Sequence, residues 1–234
     1  ARAVEARLAD HPQAGPATLR ELAEAALRDG DDERARALAA RCIALAPGRM
    51  LDLARSVAKA TGATEEFPRL ARFRASAAEI DALIAAYVPG ERDASAPSTL
   101  LLDRMVVEFL PDGSRVEELH QLRRINDLQG VEAHEEASAA AAADELLRLR
   151  TVHAAGRSYV PHRVGGALSM PQLVPGTFVE ELYRRLEPAV EGAPWRGPSF
   201  SFQSADEPFV HSELIVVLPP HAPGELRTRN VDAA

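Results

Sequence analysis

The chain has 234 residues, 46% of them hydrophobic and only 5% aromatic, with a formal charge of -8 at neutral pH. That length holds one large or two ordinary domains around a mainly aliphatic core. The acidic balance argues against a general nucleic-acid binder, which needs a clustered excess of Lys and Arg. A single cysteine, Cys42, excludes an intrachain disulfide, and no run approaches the ~20 apolar residues of a bilayer-spanning helix.

The chain opens Ala1-Arg2-Ala3, without Met or a signal-peptide pattern, and its tail from Arg227 to Ala234 ends in no capped element. Both ends are expected to continue in a longer natural chain. Residues 16–47 predict two helices joined by a tight turn. Pro16 suits a first helical turn, and Leu19, Leu22, Ala23, Ala26 and Leu27 form one apolar stripe. Gly30 suits the helix end, and Asp31 or Asp32 caps the next helix. Ala35, Leu38, Ala39, Cys42, Ile43 and Ala46 repeat the stripe until Pro47-Gly48 stops it. The hairpin resembles one tetratricopeptide repeat: Pro47 takes the closing position and small residues fall where the two helices approach, although the bulky aromatic positions are not filled. Further helices are expected over 51–60 and 80–87, with Phe67, Leu70 and Phe73 as core contacts. Residues 1–90 thus read as a tetratricopeptide-like helical region, for contacts with a partner or a neighbouring domain.

Residues 91–99 are polar with one proline and read as a linker. From there the pattern turns to short β-type runs. Leu101, Met105, Val107 and Phe109 alternate against Arg104 and Glu108, and Pro111-Asp112-Gly113-Ser114 signals a hairpin turn. Residues 116–126 are read as the return strand, with a β-bulge near His120 to explain why Leu119, Leu122 and Ile125 recur every third residue. A surface excursion over 132–143 holds five successive alanines that would sustain a short helix. Strands are then expected over 145–152, 159–161, 178–186, 200–204 and 209–218, with loops at Met170-Pro171 and Val174-Pro175-Gly176. The sum is an α+β chain: tetratricopeptide-like helical hairpins, then an antiparallel β-sandwich over 100–230.

Ser169-Met170-Pro171-Gln172-Leu173-Val174-Pro175-Gly176, leading into Thr177-Phe178-Val179-Glu180, resembles the element that opens an acidic, aromatic strand in the β-domain preceding bacterial transglutaminase-like domains. Leu102-Asp103 to Phe109 with Pro111-Asp112-Gly113 is similar to that family's first strand and turn. Leu149 to Gly156 is similar to its later strand, with Ala155 where the family has Asp, and Pro208 to Pro219 to its last. The resemblance spans about 98–230 and contains no catalytic motif. It implies a non-catalytic accessory fragment of a larger bacterial protein, a papain-like Cys-His-Asp partner domain downstream, and an extracytoplasmic location.

Candidate sites are few. The seven histidines show no H-x-H or HExxH spacing, and His134-Glu135-Glu136 reads as a solvated loop. His153 and His162 would face each other across the Gly156 turn. Glu117-Glu118 and Glu180-Glu181 point in pairs to opposite faces of their strands and read as surface carboxylates. Cys42, a helical cysteine among alanines with no His nearby, reads as a core residue. No metal, cofactor or catalytic set is assigned. The aromatics Trp195, Phe200, Phe202 and Tyr183 form the candidate ligand or interface cluster, Trp195 in a loop of Gly and Pro. They support the alternative of a carbohydrate- or peptide-binding sandwich. A hydrolase assembled only in three dimensions is the third reading.

Overall fold

The computed structural model describes residues 14–46, 53, 56, 57, 60, 61, 67–110, 113–136, 145–164, 167–187 and 197–219. Helices α1 (Pro16–Arg28) and α2 (Asp32–Leu45) form the expected hairpin. Gly30 turns between them at φ 73°, a left-handed conformation that glycine adopts without a Cβ penalty. Asp31 caps α2 by accepting a hydrogen bond from the Arg34 N–H. Leu19, Leu22, Ala23 and Ala26 interlock with Ala35, Leu38, Ala39 and Cys42, and Leu53 and Val57 close this cluster.

The rest of the helical half belongs to the sheet. Helices α3 (Pro68–Ala71) and α4 (Ala77–Ala86), the latter capped by Ser76 on the Glu79 N–H, lie on one face of it. Leu70 and Phe67 pack with Val106, Val116 and Val217, while Ala75 and Ile80 pack with Leu102, Leu122 and Phe178. The packing therefore divides between Val57 and Phe67 rather than at the polar stretch near residue 91. In that stretch Asp93–Ser95 makes a 3-10 turn, and Ser98 and Thr99 already open the first strand.

The fold is mixed α+β, built on a six-stranded, mostly antiparallel sheet. Its strands are β1 (Ser98–Phe109), β2 (Arg115–Ile125), β3 (Glu145–Val152), β4 (Ser158–Tyr159), β7 (Phe178–Glu187) and β8 (Ser212–Val217), in the order β4-β3-β7-β2-β1-β8. Strands β5 (His162–Val164) and β6 (Ala167–Ser169) form a separate two-stranded sheet. Only β1 and β8 run parallel. The chain between β7 and β8 must therefore return from one end of the sheet to the other. Helix α5 (Leu128–His134) and the loop at Met170 and Leu173 cover one end of the face opposite α3 and α4, over Ile125, Leu149 and Val179.

Three expectations for the strands change. The bulge falls at Leu101 in β1, with another at Leu147 in β3, and β2 pairs without a break through His120. Leu119, Leu122 and Ile125 recur every third residue because both faces of β2 take apolar side chains: Leu122 packs under α4, Ile125 under α5, and Leu119 is half-buried on the same side as Ile125. Residues 200–204 are irregular rather than a strand, and β8 begins at Ser212, with Phe209 making a single bridge to Leu100.

Candidate functional site

Under α3 and α4 the sheet carries a layer of charges. Strand register places Leu122, Glu180 and Arg150 side by side, then His120, Leu182 and Arg148, then Glu118, Arg184 and Glu145. Glu180 accepts from Arg148 Nη1 at 2.8 Å and Arg150 Nε at 2.5 Å. Glu118 takes Arg184 at 2.7 Å from its own sheet and Arg74 at 2.6 Å from the helical cover. Arg184 also reaches Glu145 at 3.0 Å, and Arg104 joins Glu79 at 2.7 Å to Glu213. Five arginines thus meet five glutamates, which is how charges remain ionised away from water.

His120 completes the layer. Its Nδ1 accepts the Ala75 N–H at 3.2 Å, which leaves the proton on Nε2 to be donated to Glu180 Oε1 at 3.0 Å. The pair has the look of a catalytic dyad, but His120 is 2% and Glu180 0% exposed, and both ring nitrogens are occupied. It is a structural contact that pins the cover to the sheet. Burial opposes ionisation of Glu180, yet the hydrogen bonds from His120, Arg148 and Arg150 outweigh it and hold the carboxyl at about 2.

The opposite face is differently furnished. Asp103, Gln121 and Glu181 lie abreast on β1, β2 and β7. Gln121 Nε2 donates to Asp103 Oδ1 at 2.8 Å. Burial raises the pKa of Asp103 against that hydrogen bond, the charge of Arg123 and a hydrogen bond from the Ser212 hydroxyl on β8. Burial raises Glu181 as well, opposed by the Arg123 charge alone. Glu181 is 7% exposed, and among the described residues none donates a hydrogen bond to it. The next row along the sheet is apolar: Leu214, Met105, Leu119, Tyr183 and Leu146, one from each of five adjacent strands, all half-buried. Burial raises the Tyr183 phenol. Glu207, in the chain leading to β8, binds Arg123 at 2.7 Å and Ser98 at 2.6 Å at the edge of this surface.

Of the aromatic cluster, Trp195 lies outside the described residues. Phe200 and Phe202 meet edge to face with ring centroids 5.0 Å apart, Phe202 being 45% exposed. Tyr183 sits in the apolar row, and Phe178 is core beneath α4. Glu117, Glu118, Glu180 and Glu181 do point alternately to the two faces, but all four are buried rather than on the surface, because both faces are covered or half-covered. His134 ends α5 instead of lying in a solvated loop, and burial, aided by Arg123, pushes it down to about 4. His153 turns to the Gln172 carbonyl at 3.1 Å and stacks beside Tyr159, while His162 is exposed on β5. Cys42 is buried, its Sγ donating to the Pro16 carbonyl at 3.1 Å, and burial raises the thiol. Sequence reasoning missed the charged layer. Its signal was the arginine run from Arg69 to Arg74 set against Glu108, Glu118 and Glu180, which alternate onto one side of their strands.

Among the described residues no group of three or more His, Cys, Asp or Glu side chains is placed to hold a metal ion, and no helix is long and apolar enough to cross a membrane. No protein-family model matches the chain, and no curated protein matches it. Among solved structures it is similar to a candidate protease of Parabacteroides distasonis, with 9% identity and a TM-score of 0.31. That likeness covers 40% of this chain and 24% of the other protein's length, and carries neither fold nor activity across.

Proposed function

We propose that this chain is a non-catalytic accessory part of a larger bacterial protein: tetratricopeptide-like helices followed by a sandwich-type β domain that docks on another folded domain through the sheet face opposite α3 and α4. The observation that carries the reading is the row Leu214, Met105, Leu119, Tyr183 and Leu146, half-buried apolar side chains running unbroken across five strands. A contiguous apolar row that stays only half-buried is surface left for contact with another folded element. The resemblance of residues 98–230 to the domain that precedes transglutaminase-like domains names the partner class, a papain-like domain whose cleft the sheet positions or shields. The tightly engaged His120 and the enclosed Cys42 fit a scaffold role. Co-expression with a transglutaminase-like domain from the same reading frame tests the docking. Leu119→Lys is expected to cut co-purification at least about tenfold, the effect of burying an unpaired charge at an interface; undiminished co-purification refutes it. Amide or ester hydrolysis by this chain alone, lost on mutating one of its residues, refutes the accessory role.

The edge-to-face pair of Phe200 and exposed Phe202 favours a second reading, a stacking surface for a sugar or peptide. Intrinsic fluorescence, with Trp195 as reporter, should respond to a member of a glycan and peptide panel. A silent panel counts against it.

A further inference from the structure

Charge is unevenly spread along this acidic chain. Between Glu145 and Glu180 there is no Asp or Glu, yet Arg148, Arg150, Arg157 and Arg163 all lie there, with His153 and His162. The stretch carries +4, leaving -12 on the rest of a chain whose total is -8. Arg148 and Arg150 are held by Glu180, but Arg157 and Arg163 are exposed and have no ion pair among the described residues. They flank β4, the outermost strand on that side of the six-stranded sheet. Gly156 turns the chain at φ 80°, and the His153 N–H donates to the Arg157 carbonyl at 2.8 Å. With Thr151 opposite Tyr159, that bond turns the backbone groups of Arg157 and Tyr159 towards β3. Those of Ser158 and Val160 therefore point outwards, where Ser158 is exposed and Val160 is 75% exposed. Pro161 ends this edge, and His162, also exposed, opens β5 beside Arg163.

We propose that this end of the sheet binds an acidic, extended segment of a partner protein, laid along the outer edge of β4. Its carboxylates meet Arg157 and Arg163, and its backbone takes the hydrogen bonds that Ser158 and Val160 offer. From Arg157 to Arg163 is at most about 20 Å of extended chain, so about seven partner residues span it. Alternate residues of a strand face the same way, which places the partner's acids at every second position. Charge complementarity selects the sign: the rest of the chain repels an anion, so binding depends on this local patch. Glu136, bridged to Ser169 across β6, stands two strand spacings, about 10 Å, from His162, where salt already screens it. Two unpaired arginines are too few to track a phosphate backbone, which favours a carboxylate partner over a nucleic acid. This surface is separate from the docking face described above, and the two readings stand or fall independently.

The test uses the full chain and two labelled, blocked heptapeptides, Glu-Val-Glu-Val-Glu-Thr-Glu and the same sequence with Gln for Glu, followed by fluorescence anisotropy at low salt. The glutamate peptide is expected to bind about fivefold tighter, a preference that high salt removes. Arg157→Gln combined with Arg163→Gln is expected to abolish the preference, with far-UV circular dichroism unchanged. Arg36→Gln combined with Arg92→Gln, which removes the same charge from exposed positions elsewhere, should leave binding as it was. Val160→Pro removes one outward N–H and is expected to weaken the glutamate peptide about threefold, the effect of one lost hydrogen bond. Equal binding of the two peptides, no response to the Arg157 and Arg163 pair, or an equal response to the Arg36 and Arg92 pair overturns the proposal. An oligothymidylate that binds tighter than the glutamate peptide, with the same dependence on Arg157 and Arg163, overturns it in favour of a nucleic acid. No effect of Val160→Pro overturns the seating along the strand edge.

Discussion

Glu180 and Glu181 are neighbours in β7 and look out on different surroundings. On the side under α3 and α4, Glu180 is met by His120, Arg148 and Arg150, and Glu118 by Arg74 and Arg184. On the other side Glu181 is buried beside Gln121 and half-buried apolar groups, Thr151 has an orphaned hydroxyl, and Tyr183 and Leu119 are only partly covered. The first arrangement is closed in charge and hydrogen bonding, so each member has something to lose. The second leaves polar groups wanting partners. Truncating polar groups should therefore hurt on one face and help on the other.

The largest effect is expected from Glu180→Gln. It leaves Arg148 and Arg150 without their shared counter-ion, and the displacement of Glu180 to about 2 corresponds to about 3 kcal/mol of stability. For a chain of this length that lowers the melting temperature by roughly 10 °C. The pH dependence has a definite sign. Glu180 titrates lower in the folded state than in the unfolded one, so its contribution is complete above about 4.3 and fades as pH falls towards 2. Urea unfolding at pH 7 and at pH 2.5 should show the gap between wild type and variant closing at acid pH. A constant gap would mean that the carboxylate's charge is not what holds the layer.

Gly130→Ala comes next and probes the end of the opposite face that α5 covers. A Cβ at Gly130 in α5 would stand 2.1 Å from the Pro97 carbonyl oxygen, a backbone atom that also accepts from the Asn126 N–H. The helix or the entry to β1 must shift, at a cost of about 2 kcal/mol. A melting temperature within a degree of wild type would show that α5 does not press on that segment.

The contrast also marks how far the sequence could be read. The helical hairpin was legible to within a residue or two, because Pro16, Gly30 and Asp31 each have a local mechanism. The turns at Gly113 and Gly176, at φ 87° and 90°, were legible for the same reason. The long strands of the main sheet were found, although 200–204 is irregular and the short β5 and β6 were not expected. The faces of the long strands were not, because the expectation that charge means solvent placed Glu118 and Glu180 outside. Burial of a charge depends on partners distant in the chain, 44 residues for Arg74 and Glu118 and 66 for Arg184 and Glu118. Periodicity is a local signal and cannot report them. The same locality hid the attachment of α3 and α4 to the sheet and put a linker where Ser98 and Thr99 begin β1.

Glu181→Gln should act with the opposite sign to its neighbour. Burial raises this carboxyl, so ionised Glu181 costs stability at neutral pH and ceases to cost once pH has fallen below the unfolded value of about 4.3. The amide removes that cost and should stabilise the free chain by about 1 kcal/mol at pH 7, with the advantage shrinking in acid. Denaturant titrations of both glutamine variants across one pH series give two gaps that close together from opposite sides. Parallel losses would erase the distinction between the faces.

The smallest expected change is Thr151→Val. Thr151 is fully buried on β3 beside Val179, and its hydroxyl has no hydrogen-bond partner, so it bears the desolvation cost of a polar group without the return. Valine replaces the hydroxyl with a methyl of nearly the same shape, keeps the β-branching that suits a strand, and adds apolar surface next to Val179. A gain of up to about 1 kcal/mol is expected, a rise of roughly 2–4 °C in melting temperature. A loss instead would mean that the hydroxyl is satisfied in solution, and the face that carries Thr151 and Glu181 would then be no shorter of partners than the one under α3 and α4.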